Sequence, residues 1–364
     1  MKKRKREQEQ SAASNGVDTS KPTAVFRPTA GRAHTLSVAL PGSIIANAQS
    51  HELKTVLAGH VARALAVFCV DEVVIFDDGQ GNPKPRGNLH GPDRQHHDDH
   101  HMGEQSYTGY ADPDHFLEHL LSYLETPPHL RKYLFPIHPN LKSAGTLPSL
   151  DMPHHMRADE QGQYREGVTV PAPDAAEPAR LSGPQVSTNK SKKRKQSSTN
   201  GAAPPLPPRS YVEVGLKKRA VVQAAIAPHT RVTLKFASDE PTRTEEEHIA
   251  AEAVRPEAPR EEAGYYWGYA TRRAPSLSAV FTECPFDGGY DLTVGTSERG
   301  TPLDEITAKS DAVRPTQAKH TMIVLGGVAG LEAAVKADAE LAGMGLHYPA
   351  PLFDYWVNLC PGQG

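Results

Sequence analysis

The sequence predicts an α/β protein whose parallel-sheet domain is split by a smaller β domain. Three observations predict it. An apolar run, Met322 to Leu325, enters Gly326-Gly327-Val328-Ala329-Gly330-Leu331-Glu332. A second run, Leu352 to Val357, enters Asn358-Leu359-Cys360-Pro361-Gly362-Gln363-Gly364. Far upstream, two buried-type apolar runs flank an amphipathic segment, the pattern of two parallel strands joined by a crossover helix. Strand-like runs opening into small-residue loops are how α/β sheets build ligand pockets, at the carboxyl ends of their strands.

The elements follow in order. Residues 1–32 are charged, polar and non-periodic, and read as a disordered tail. Leu36 to Leu40 reads as a strand ended by Pro41-Gly42. Ser50 or Asn47 can cap the next helix, where Leu53, Val56, Leu57, Val61, Leu65 and Phe68 recur at helical spacing. Val73 to Phe76 is a second strand, ended by Asp77-Asp78-Gly79. The His-, Gly- and Pro-containing stretch 79–113 reads as a loop insertion. Its histidines (90, 96, 97, 100 and 101) lack the patterned spacing of a metal site. Phe116, Leu117, Leu120, Leu121 and Leu124 mark a helix closed by Pro127-Pro128, with a short helix expected at 130–134.

From Met152 the pattern changes. Short β-branched or aromatic runs at 167–170, 211–216, 220–225, 231–236 and 265–271, separated by turn residues, predict a small antiparallel β domain over 151–275. It is interrupted by a Pro-, Ala-, Ser- and Lys-rich stretch, 171–208, and by an acidic gap, 237–263, read as a second insertion. Leu277 to Phe281 and Tyr290 to Val294 read as strands again, the latter closed by Gly295-Thr296-Ser297-Glu298-Arg299-Gly300. The α/β domain is therefore expected in two pieces, 33–150 and 276–364.

Composition narrows the function. Proline (32) and glycine (29) are in excess of the usual share, and concentrated in a few segments. The net charge of −3 is unremarkable, but its distribution is not. Lys2-Lys3-Arg4-Lys5-Arg6 opens the chain, and Lys190, Lys192, Lys193, Arg194 and Lys195 form a second basic run. Such runs read as nuclear-import signals or RNA-attracting arms, against the plainer reading of solubilising tails. Three well-separated cysteines argue for a reducing compartment without a disulfide framework. No apolar run approaches the roughly 20 residues of a membrane helix, and no secretory signal opens the chain. An intracellular, soluble protein is expected.

The loops 296–300, 326–330 and 358–364 match neither the dinucleotide fingerprint nor a phosphate loop ending in Gly-Lys-Ser/Thr. No nucleophile elbow suggests a hydrolase. What remains is a ligand held by backbone groups at close approach, which glycine permits.

Particular motifs point further. Leu36-Ser37-Val38-Ala39-Leu40-Pro41-Gly42-Ser43, Phe68-Cys69-Val70-Asp71-Glu72-Val73, Pro153-His154-His155-Met156-Arg157, Tyr266-Trp267-Gly268-Tyr269, Tyr290 to Gly300 and Asn358 to Gly364 together resemble the SPOUT-type RNA methyltransferases related to the vertebrate centromere-associated SPOUT protein. The resemblance covers residues 35–364 apart from the low-complexity insertions. It implies an α/β-knot catalytic domain with an inserted OB-like β domain, S-adenosylmethionine as methyl donor, RNA as acceptor, and a homodimer. Gly326, Gly327, Val328 and Gly330 would form one cofactor loop. Asn358, Cys360, Pro361, Gly362 and Gly364 would begin the other. Ribosomal or other structured RNA and a nuclear or nucleolar location, otherwise cytoplasmic, go with it.

Within that frame Arg299 and Glu298 are the candidates for handling the base or its phosphate. The plainer reading is a mutual ion pair that fixes their loop. Lys192, Lys193, Arg194, Arg157, Tyr265 and Trp267 are the candidate RNA contacts. Tyr265, Trp267 and Tyr269 alternate on one face of a predicted strand, a position that suits base stacking or, more commonly, a buried core or seam. His154-His155 reads as a polar lining or a hinge near the active site rather than a metal pair. In the resembling family the chain continues past Pro-Gly-Gln-Gly into a basic loop and a final helix that completes the knot. A polypeptide ending at Gly364 is thus expected to have an incomplete knot, weak cofactor binding and poor stability. The rival reading is a non-catalytic RNA-binding scaffold that keeps the fold.

Overall fold

The computed structural model describes residues 28–81, 106–172, 208–238, 241–243, 246–308 and 318–361. They form two compact units: one from Met1–Thr126, Ile137–His155 and Glu257–Gly364, the other from Pro127–Pro136 and Met156–Pro256.

The first unit is built on a six-stranded, all-parallel sheet. Its strands are β1 (Thr35–Pro41), β2 (Glu72–Phe76), β8 (Ala270–Ala274), β9 (Leu292–Pro302), β10 (His320–Val324) and β11 (Tyr355–Asn358). Their order is β11-β9-β10-β1-β2-β8. Helix α1 (His51–Val67) carries the chain from β1 to β2, and the Ser50 side chain caps it by accepting from the Leu53 N–H at 3.2 Å. Helix α2 (Pro113–Glu125) is capped by Asp112, with proline in its first turn, where a missing N–H costs nothing.

Both faces of this sheet are covered, which is why β2 is buried at every position. Val73 and Ile75 pack with Ala58, Ala62 and Leu65 of α1 and with Phe116, Leu117, Leu120 and Leu121 of α2. The alternate residues, Val74 and Phe76, pack on the opposite side. There they meet the helices α5 (Leu277–Thr282), α7 (Gly330–Ala337) and α8 (Ala339–Gly343). Two further short helices, α4 (Ala258–Ala263) and α6 (Leu303–Thr307), belong to the same unit.

The second unit is a closed barrel. Its strands are β3 (Tyr164–Val170), β4 (Ser210–Glu213), β5 (Ala220–Val222), β6 (Arg231–Phe236) and β7 (Ile249–Val254), in the order β3-β4-β5-β7-β6. Helix α3 (Pro128–Leu134) belongs to this unit. Val212, Val214, Ala220, Val222, Leu234, Phe236 and Ile249 fill the interior. A side chain at Gly167 would place its Cβ about 2.4 Å from Val212 Cγ1, so the narrow interior admits only glycine there.

Several sequence expectations are corrected. Leu277 to Phe281 is helical: Ser276 caps the segment by accepting from the Ala279 N–H at 3.3 Å, and a short apolar run carries no period that separates strand from helix. The barrel is not wholly antiparallel, because β5 and β7 run parallel. The acidic gap 237–263 is not an insertion throughout, since it contains β7 and α4. The run 265–271 is not a barrel strand; only its end enters β8, which pairs with β2 in the parallel sheet. The barrel unit therefore ends at Pro256 rather than 275, and it takes in Pro127–Pro136. The expected disordered tail ends earlier than residue 32: Arg32 pairs with Asp71 at 2.7 Å, and its N–H donates to the Arg260 carbonyl at 2.9 Å. The basic run of residues 2–6, the histidines of 90–101 and the stretch with Lys190 to Lys195 lie outside the described residues.

Candidate functional site

The carboxyl ends of β9, β10 and β11 converge. Gly295 of β9 pairs with Trp356 of β11, but the next pair is Thr301 with Val357, so residues 296–300 leave the ladder as a long bulge. What reads in sequence as a loop after a strand is thus an excursion inside β9. Bulges of this kind re-aim side chains at strand ends. Three contacts hold the excursion. Thr296 Oγ1 donates to the Val324 carbonyl at 3.1 Å, at the end of β10. The Arg299 N–H donates to Ser297 Oγ at 3.1 Å. Asn358 Nδ2 donates to the Glu298 carbonyl at 2.8 Å. A Cβ at Gly300 would sit 2.3 Å from the Val357 carbonyl carbon, so glycine lets the two backbones touch.

The loop after β10 folds back on itself. The Gly330 N–H donates to the Gly327 carbonyl at 3.0 Å, and Gly330 takes a φ of +72° as α7 begins. A Cβ at Gly326 would lie 2.9 Å from Gly330 C and Leu331 N. One at Gly327 would face Asp78 Oδ2 at 3.1 Å, and Pro41 and Ser43 at 3.3 Å, across the ends of β1 and β2. Val328 projects outward, 85 % exposed. After β11, Asn358 Oδ1 accepts from the Cys360 N–H at 2.9 Å, tightening the turn toward Pro361. Gly362 and Gly364 lie outside the described residues.

Arg299 and Glu298 are exposed, with Nε and Oε1 4.0 Å apart. Arg299 Nη1 also lies 3.9 Å from Glu332 Oε1, in the first turn of α7. Contacts this long between exposed groups add little to stability. They leave a cation and two carboxylates presented to solvent at the convergence of the three strand ends.

A second group of carboxylates stands at the ends of β1 and β2. Asp78, nearly fully buried, accepts from Ser43 Oγ at 2.7 Å and from the Gln80 N–H at 3.0 Å. Burial pushes Asp114 up to about 7; the charges of Asp77, Asp112 and Asp78 add to the rise, and Arg273 opposes it. This group was not singled out in sequence. Its only signal is Asp77-Asp78 directly after a strand, and the fold supplies Asp112 and Asp114. A carboxyl with a folded pKa above its ordinary 3.8 keeps a proton that the unfolded chain releases, so its stabilising contribution fades as pH rises from about 4 to 7. Asp114→Asn should flatten that fall and raise the unfolding midpoint at pH 8. Thermal unfolding across pH 5–8 with an unchanged pH dependence would refute the assignment.

The remaining predicted residues separate. Tyr265 is 42 % exposed, while Tyr266 and Tyr269 are buried in the core beside Leu120 and Leu121, and none of the three lies in a strand. The expected alternation on one strand face is therefore wrong. Trp267, partly buried, stands 5.9 Å from the His154 ring. His154 and His155 are buried, and both Nε2 atoms face the Glu125 carbonyl, at 2.9 and 2.5 Å. Arg157 is exposed and belongs to the barrel unit. Lys192, Lys193 and Arg194 lie outside the described residues.

Comparison with known proteins decides the family. A family model described as "Putative RNA methyltransferase" matches residues 35–364. The chain belongs to this RNA methyltransferase family. It is 40 % identical over 335 residues to the 28S rRNA (uridine-N(3))-methyltransferase of Homo sapiens, covering 92 % of this chain and 74 % of that protein. The Mus musculus protein of the same name is 40 % identical over 339 residues, covering 93 % and 73 %. The Drosophila melanogaster one is 39 % identical over 332 residues, covering 91 % and 58 %. This RNA methyltransferase thus carries two glycine-dependent backbone approaches, Gly300 on Val357 and Gly326 on Gly330, at the convergence of β9, β10 and β11. Among its described residues no helix is long and apolar enough to cross a membrane.

Proposed function

We propose that the chain transfers a methyl group from S-adenosylmethionine to N3 of a uridine in large-subunit ribosomal RNA. The observation that carries this reading is the convergence of the β9 excursion, the Gly326–Gly330 loop and the Asn358–Pro361 turn at the carboxyl edge of a parallel sheet. The names of the relatives supply the target atom and the RNA. The described loops suit the donor. Gly326, Gly327 and Gly330 bring bare backbone to the strand ends, and a Cβ at Gly326 would press on the backbone of Gly330 and Leu331. Polar and charged groups stand beside them: Asn358, Glu298, Arg299 and Glu332.

When bound, the donor supplies an electrophilic methyl carbon on sulfur. The protein's contribution is mainly to align the base with it. Uridine N3 carries a proton that must leave as the bond to carbon forms, and a carboxylate at the site suits the role of acceptor. Glu298 is the candidate base. Arg299 would stabilise negative charge on the uracil ring or hold a flanking phosphate. A five-stranded barrel in the order β3-β4-β5-β7-β6, with its third and fifth strands parallel, supports the OB-like reading of the second unit. We extend the proposal to a SPOUT-type knot, a homodimer and a nuclear or nucleolar location directed by the basic runs of residues 2–6 and 190–195.

The test is transfer of labelled methyl to a 28S rRNA fragment. Reverse-transcription arrest maps the site, because N3 methylation blocks Watson–Crick pairing. Arg299→Ala should lower transfer by about 100-fold, the usual scale for one charge-stabilising group. Its unfolding midpoint should stay put, since the side chain is 66 % exposed. Transfer without arrest at uridine would refute the target atom. Undiminished transfer and RNA affinity in Arg299→Ala would refute that residue's role. A well-folded sample giving no heat with S-adenosylmethionine would favour a non-catalytic scaffold.

A further inference from the structure

The barrel unit holds cations that the catalytic reading does not use. Strand β3 starts beside the end of β4, and β5 and β7 start at the same end. Two segments meet there: residues 156–163 before β3, and the turn 214–219 between β4 and β5. One buried side chain binds them together. Arg165 is 2 % exposed and points inward from β3. Its Nε donates to the Val214 carbonyl at 2.7 Å, Nη1 to the Glu160 carbonyl at 3.1 Å, and Nη2 to the Arg157 carbonyl at 2.7 Å.

The turn itself is held on every side. Gly215 takes a φ of +71°, and its N–H donates to Glu213 Oε1 at 3.1 Å. The His129 ring of α3 sits where a Cβ of residue 215 would point. Leu216 packs against the barrel interior. Lys218 Nζ donates to the Glu246 carbonyl at 2.7 Å, and the Arg219 carbonyl accepts from the Ile249 N–H at 3.0 Å. Between these anchors stand Lys217, which is exposed, and Arg219, which is half-buried. Arg157, exposed, stands on the other segment. None of the three side chains forms an ion pair among the described residues. Two nearby carboxylates are already engaged by backbone: Glu213 by the Gly215 N–H, and Glu160 by the Arg157 N–H at 2.7 Å. The exposed acids Asp159, on the first segment, and Glu246 and Glu247, just before β7, leave the rim mixed in charge.

Unpaired cations carried on anchored backbone suit a polyanion. The backbone loses little freedom on binding, and each phosphate neutralised releases counterions. We propose that Lys217, Arg219 and Arg157 form a phosphate-binding rim that grips the RNA backbone. This rests on the reading of the chain as acting on RNA. The rim positions and does not specify, because phosphate contacts carry no sequence information.

The test uses the full chain with Lys217→Glu and Arg219→Glu together, and Lys217→Gln with Arg219→Gln as the milder pair. Affinity for a 28S rRNA fragment is measured by fluorescence anisotropy from 50 to 300 mM salt. The double charge reversal should weaken binding by more than about tenfold and reduce the slope of log affinity against log salt by roughly 2, one per lost phosphate contact. The glutamine pair should do the same more weakly. KM for RNA should rise while the rate at saturating RNA and the affinity for S-adenosylmethionine hold. Unchanged affinity and slope in both pairs would overturn the rim, and would point to a protein partner for this face. If the wild type binds the RNA without methylating it, the reaction reading fails and the salt slopes still decide the rim. If the wild type binds no RNA, both fall.

Discussion

Gly326→Val should lower methyl transfer by at least about 100-fold relative to the wild-type chain. A Cβ at this position would lie 2.9 Å from Gly330 C and Leu331 N, and those atoms are backbone at the start of α7. Backbone cannot swing aside as a long side chain can. The loop must open, and a displacement near 1 Å at a positioning element is enough for a loss on that scale. Met344→Ala is the control. That side chain is 72 % exposed and belongs to none of the candidate loops, so its removal leaves the loop untouched. Labelled-methyl transfer to the rRNA fragment reads out both. Equal activity in Gly326→Val and wild type would remove this loop from the site.

Phe116→Ala should destabilise the parallel-sheet unit by about 3–5 kcal/mol, the range for deleting a fully buried aromatic ring. Phe116 is 0 % exposed and anchors α2 against the sheet. It also meets Tyr107 edge-on at 5.6 Å and His51 at 6.1 Å, so the cavity would open between three elements rather than collapse onto one. Urea unfolding of both proteins gives the difference. A loss under about 1 kcal/mol would mean that the site repacks, contrary to a ring enclosed on all sides.

How much was legible in sequence depended on how local each signal was. Helix α2 could be read from Phe116, Leu117, Leu120, Leu121 and Leu124 alone, although its start at Pro113, capped by Asp112, lay inside the stretch read as a loop insertion. The strand at Val73 to Phe76 was equally plain, and the helix cap was narrowed to Ser50 or Asn47, because capping and burial on both faces leave a mark within a few residues; the structure chooses Ser50. Leu277 to Phe281 was misread because five apolar residues have no period, and Ser276 was overlooked as a cap. Strand β7, Ile249 to Val254, was hidden in an acidic stretch. Its outward positions include Glu252, and its pairing partners lie in β5 and β6, far along the chain. The aromatic run 265–269 imitates a strand by composition, yet its tyrosines at 266 and 269 are core residues of a loop.

The candidate site shows the same division. The glycine-rich loop at 326–330 and the turn at 358–361 were visible because close backbone approach demands glycine and turn residues in one short stretch. The excursion of residues 296–300 inside β9 was not visible, since only the register against β11 shows that the strand resumes at Thr301. Nor was the gathering of Asp77, Asp78, Asp112 and Asp114, or the tie that Arg165 makes between residues 157 and 214.

By itself, then, the sequence determined the parallel α/β class, the presence of an inserted β domain, the family and the small-residue loops at the strand ends. Each of these rests on short-range chemistry: periodicity, capping and glycine at close approach. Tertiary structure alone decided the barrel's boundaries, the bulge in β9, the raised Asp114 and the cationic rim at Lys217 and Arg219. Those depend on groups far apart in the chain that meet only when strands pair and desolvate one another, and neither register nor burial is written in any one stretch of residues.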